Sequence, residues 1–169
     1  MSSDQGVAVQ LTPESMDLFD VSVTDRDGIR YASMVTAAPP PPAGFRPRML
    51  VEPEQLVLGL LFAALHILTA REHRHYPYPP ITPDQQAARA SLPFPVSAQD
   101  SDGVVPVLSQ MRGRVLDVVL SDHLDIVGQF PCTDRGRLCD WLPSGANFDR
   151  PRFIAVWERI ADFITKDED

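Results

Sequence analysis

The apolar run from Leu56 to Leu68, interrupted only by Gly59 and His66, constrains this chain more than any other feature. It falls short of the roughly 20 residues a helix needs to cross hydrocarbon. Pro53, between Glu52 and Glu54, gives it a helix start with acid in the first turn. Its apolar residues occupy nearly every side of a helical cylinder, which predicts a helix wrapped by the rest of the chain. We therefore expect a central buried helix over 53–75 that does not enter a membrane. Arg71, His73, Arg74 and His75 would complement the negative end of its dipole before Pro77, Pro79 and Pro80 stop it.

The segments on either side are cut by proline and glycine. Thr12-Pro13-Glu14 starts a short helix. Phe19, Val21 and Val23 then alternate with polar residues, and a second alternating run follows from Ile29 to Val35. Asp27-Gly28 between the two runs reads as the turn of a β-hairpin, with Val23 opposite Ala32 and Val21 opposite Met34. The proline-rich stretch over 39–47 can neither donate to a sheet nor continue a helix, so it reads as an extended connector within the fold. Thr82-Pro83-Asp84 opens another short helix that ends before Pro93. From Val104 the apolar residues fall at helical spacing, although the β-branched tail 115–120 could instead pair with 124–130 as a second hairpin. The clearest helix is the last, over 150–165, with Asp149 as its cap and Phe153, Val156, Trp157, Ile160 and Ile164 along one stripe. Lys166 to Asp169 reads as a frayed, acidic tail.

These readings give an α+β fold in which an N-terminal β-hairpin packs with about three to five helices in one layered domain spanning 1–169. At 169 residues and 44% apolar content the chain can bury a real core. The N-terminus lacks a charged region followed by an apolar one, which fits a bacterial, cytoplasmic protein. Cys132 and Cys139 are then expected as free thiols.

A net charge of −8 makes phosphate backbones and anionic lipid poor partners. Interleaved His73, His75 and Tyr76 could stack on an anion or a base, but the overall charge opposes nucleic acid. No cofactor or metal is indicated: two cysteines without nearby histidines do not make a zinc site, and no glycine-rich phosphate loop occurs. Nor is there a G-x-S-x-G nucleophile turn. The remaining chemical candidates are His123, flanked by Ser121, Asp122 and Asp125, and a thiol at Cys132. Two function classes follow. One is a noncatalytic interaction module, such as an adaptor, chaperone, immunity-type inhibitor or phage or virulence accessory protein. It would bind a protein of basic surface and use Trp141 as an aromatic anchor. The other is a small enzyme or ligand-binding domain with a pocket near His123, Asp125 and Cys132.

Overall fold

Short β-branched runs at Ala32–Ala37 and Arg114–Leu120 make the two strands, β1 and β2, of a small sheet. A computed structural model describes residues 18, 21–23, 25–41, 53–70, 83–91, 97, 99–132 and 139–166. The strands pair in parallel, with Val35 opposite Val118 and Ala37 opposite Leu120, and the register slips between Ser33 and Met34. Parallel neighbours cannot be joined by a tight turn, so the chain between them crosses over. That crossover contains helix α1, Pro53–Thr69, and the shorter α2, Pro83–Ser91, which lies beside β2. A 3-10 turn over Val107–Gln110 leads into β2, and another over Asp125–Val127 follows it. Helix α3, Arg150–Thr165, closes the described order.

The residues fall into two compact units, one holding Leu18 to Tyr31 and one holding the remainder from Ala32 onward. In the first, Leu18, Val21 and Ser22 are helical, and Asp27-Gly28 is a turn with Gly28 at φ 77°. Here the N-terminal hairpin is overturned. The turn exists, but Ala32–Ala37 takes β2 as its partner, because the β-branched run at 114–120 offers a longer apolar strand than Val21 and Ser22, which turn helical. Among the described residues from Ala32 onward the architecture is thus two long helices, a short one and a two-stranded parallel sheet.

Both readings of 104–130 also fail. Pro106 and Gly113 break the helical spacing, 107–110 is a 3-10 turn, and 114–120 is a strand. The run after it does not return as a strand, since Asp122 and Asp125 fold it into a turn. Helix α3 matches its expected bounds. Asp149 accepts from the Arg152 backbone N–H at 3.0 Å, and Pro151 lies in the first turn. Val156 is its buried residue, and Arg159 pairs with Asp117 on β2 at 2.5 Å.

The apolar helix departs furthest from expectation. α1 buries Phe62 and His66, while Val57, Leu60, Leu61, Ile67 and Leu68 are exposed. Phe62 packs with Ala38 and Leu142, and Leu65 and Leu124 lie against that cluster. Phe62, Leu65, His66 and Thr69 follow the i, i+3, i+4, i+7 stripe, so one face alone meets the core. A second apolar cluster, Val35, Ala37 and Val107, sits on the sheet. No helix among the described residues is long and apolar enough to cross a membrane.

Candidate functional site

Among the described residues the most buried polar groups gather just past the carboxyl ends of the two strands, where open parallel sheets place their sites. Ser121, Asp122 and His123 follow β2 directly, and the Ser121 N–H donates to the Ala37 carbonyl at 3.0 Å. The loop Ser101-Asp102-Gly103 is tied to the end of β1 by the Ala38 N–H donating to the Ser101 carbonyl at 3.0 Å. A backbone bond from the His123 N–H to the Asp102 carbonyl, 3.0 Å, then draws the two loops together.

Asp102 is 1% exposed and accepts from four donors. Oδ1 takes the Val104 and Val105 N–H groups at 2.9 and 2.7 Å, closing a turn on itself. Oδ2 takes the Thr36 hydroxyl at 2.7 Å and lies 2.9 Å from His123 Nδ1. Burial alone would raise the Asp102 pKa. The bonds from His123, Val105, Thr36 and Val104 outweigh it and hold the carboxyl below its ordinary value of 3.8, so the group stays ionised. That charge fixes Nδ1 of His123 as the protonated nitrogen and leaves Nε2 as an acceptor. His123 keeps 40% of its side chain exposed, so the imidazole reaches solvent while its partner does not. The bond to Asp102 raises the His123 pKa above 6.5. Burial opposes that shift, and the charges of Asp102 and Asp122 add to it.

Beneath this pair lie three further carboxyls. Asp122 Oδ2 accepts from the Ser144 hydroxyl at 2.9 Å, and Oδ1 accepts from the Leu124 and Asp125 N–H groups. Asp125 Oδ2 accepts in turn from the Asp122 N–H at 2.9 Å. Burial, and then the charge of Asp122, push Asp125 up to about 8 and Asp140 up to about 6. Burial raises Asp122 as well, against the hydrogen bonds from Ser144, Leu124 and Asp125. Asp125 is the one raised above neutral pH and keeps its proton there, while Asp122 and Asp140 titrate above the usual carboxylate range. Among the described residues no group of three or more His, Cys, Asp or Glu side chains could hold a metal ion.

Of the expected site residues, His123 belongs to a built arrangement, but with Asp102 in place of Asp125. Asp125 shapes the turn that carries His123. Cys132 is bonded to Cys139, which overturns both the free thiols and the thiol nucleophile. Seven residues apart with Cα atoms 5.7 Å from one another, the pair sits at ordinary bridging distance. Trp141 is 50% exposed, and His73, His75 and Tyr76 lie outside the described residues. Ser144-Gly145 is a turn with Gly145 at φ 81°, and it also supplies the hydroxyl on Asp122. Sequence reasoning passed over Asp102 and Thr36. The available signal was an Asp-Gly loop followed by a β-branched run that ends in Asp-His, which places an acid and a histidine after adjacent strands.

No family model, curated protein or solved structure matches this chain.

Proposed function

We propose that His123 is the general base of a hydrolytic site and that Asp102 orients it. The observation that supports this most is the 2.9 Å contact between Nδ1 of a partly exposed imidazole and Oδ2 of a buried, four-donor carboxylate. A buried acid holding one imidazole nitrogen so that the other can take a proton is the base-and-orienter pair of acyl-transfer enzymes. The chain order also agrees. In α/β-hydrolases the aspartate precedes the histidine, and here Asp102 and His123 stand in that order beyond the ends of parallel strands. The likeness lies in the arrangement of these two groups alone. Nε2 takes a proton from a water whose oxygen bonds to the ester carbonyl carbon, and returns it to the alkoxide as the C–O bond breaks, releasing acid and alcohol. Among the described residues no hydroxyl or thiol is bonded to Nε2, so the site supplies the base and its orienting acid.

The test is hydrolysis of short-chain p-nitrophenyl esters. The expected result is a rate that climbs with pH through the His123 pKa, above 6.5, as the imidazole becomes neutral. Both His123→Ala and Asp102→Asn should lower it by about 10³ to 10⁴-fold. Equal rates in all three proteins would end this reading.

The exposed apolar residues of α1 favour a second reading, a binding module for another polypeptide. With a net charge of −8 the fitting partner has a basic surface, and association should weaken as salt rises. Salt-insensitive association, or none, would remove it. A cytoplasmic placement and the Cys132–Cys139 bond point in opposite directions, because such bonds persist where thiols are not kept reduced. Alkylation of protein taken directly from its own cells decides: two modified cysteines favour the cytoplasm, and none favours an oxidising compartment.

A further inference from the structure

We propose that Thr36, braced by Gln110, is a positioning residue whose hydroxyl shares the Asp102 oxygen that holds His123, so that β1 itself sets the strength of the acid–imidazole bond. This rests on reading His123 as the base. Thr36 is 2% exposed. Among the described residues no strand pairs with its backbone on the side away from β2. The Gln110 carboxamide takes that place: Oε1 accepts from the Thr36 N–H at 2.7 Å, and Nε2 donates to the Thr36 carbonyl at 3.0 Å. Nε2 also donates to the Val105 carbonyl at 3.2 Å, and that carbonyl accepts from the Asp102 N–H at 3.2 Å. One carboxamide therefore braces both the strand residue and the loop carrying the acid. Its orientation is fixed, since exchanging oxygen and nitrogen would set donor against donor at Thr36 and leave acceptor facing two carbonyls.

The Thr36 hydroxyl has one proton and two acceptors in reach, Asp102 Oδ2 at 2.7 Å and Gln110 Oε1 at 3.0 Å. The carboxylate is closer and charged, so it takes the proton. A β-branched side chain in a strand has little rotamer freedom, which keeps the hydroxyl aimed. Oδ2 thus divides its electron density between Thr36 and His123. Withdrawing the hydroxyl concentrates that density on Nδ1 and stabilises the protonated imidazole. The other charges acting on His123 are Asp102 itself, which Thr36 reaches directly, and Asp122, to which Asp125 and Asp140 are coupled and with which Thr36 makes no hydrogen bond.

The experiment is a proton NMR titration of the full chain, with the His123 resonance identified by its loss in His123→Gln. Thr36→Val, which keeps the shape and removes the hydroxyl, should raise the His123 midpoint by about half a pH unit. Thr36→Ser, which restores the hydroxyl, should titrate like the wild type. Thr36→Ala lacks the hydroxyl without placing a methyl against the carboxylate, and it should repeat the upward shift if the valine variant does not fold. A wild-type midpoint in a folded variant lacking the hydroxyl overturns the proposal. The titration reads this clamp whether or not the chain hydrolyses esters. A shift without hydrolysis therefore fails the base reading alone, and hydrolysis without a shift fails the positioning role alone.

Discussion

The apolar helix α1 and the loops that carry Asp102 and His123 reverse the usual distribution of polarity. Five large apolar side chains of α1 stand exposed, whereas Asp102, Asp122, Asp125, Ser101 and Ser121 are buried to 1% exposure or less. Apolar residues at a surface are common and by themselves demand little explanation. Buried carboxylates are costly, and they persist when backbone and side-chain donors hold them. The difference teaches that the carboxyl loops are the organised part of this molecule. The helix serves them through one stripe: Phe62 packs over Gly103, beside Asp102, and the Thr69 hydroxyl donates to Ser101 Oγ at 2.8 Å.

The sharpest way to break that contrast is to truncate one residue from each face of α1. Phe62→Ala should cost about 3 to 5 kcal/mol in urea unfolding, since a fully packed ring leaves a cavity. Leu68→Ala, on the exposed face, should stay within about 0.5 kcal/mol of wild type. Equal losses would show that the exposed face is packed too. Gly103→Ala should cost about 2 to 3 kcal/mol through backbone strain and overpacking. Gly103 has φ 93°, and a Cβ there would meet Phe62 Cε2 at 2.8 Å. Pairing it with Phe62→Leu should recover part of the loss in a double-mutant cycle.

A separate effect concerns pH. Asp125 binds its proton more tightly in the folded chain, up to about 8, than at its ordinary value of 3.8. It therefore favours folding fully below 3.8, and that contribution is lost as pH rises toward 8. Asp125→Asn should flatten the stability curve over that window and make the variant the more stable protein at its upper end. Urea midpoints measured across the range check this, and parallel curves would contradict it.

Local signals were legible where one short segment decides the outcome. Asp149 with Pro151 capped and bounded α3, and Pro53 opened α1, because capping chemistry acts within a single turn. The parallel pairing of β1 was not legible, since Asp27-Gly28 signals a turn without naming the strand that follows it. Tertiary context set that partner. The apolar run misled for a related reason: composition says what a helix can bury, while the neighbours decide how much of it they cover. His123 was singled out from its flanking acids, yet its partner lies 21 residues away in an Asp-Gly loop that only the strand pairing brings beside it. The Cys132–Cys139 bond depended on geometry that spacing alone leaves open.

The measurement that tests the central claim most directly is heteronuclear NMR of the His123 imidazole nitrogens in the neutral form, in wild type and in Asp102→Asn. The wild-type proton is expected on Nδ1, facing Asp102, with Nε2 bare and able to accept, and that single tautomer should be lost once Asp102 is amidated. A wild-type proton on Nε2, or the same tautomer mixture in both proteins, would contradict the buried carboxylate as the group that prepares this histidine for chemistry.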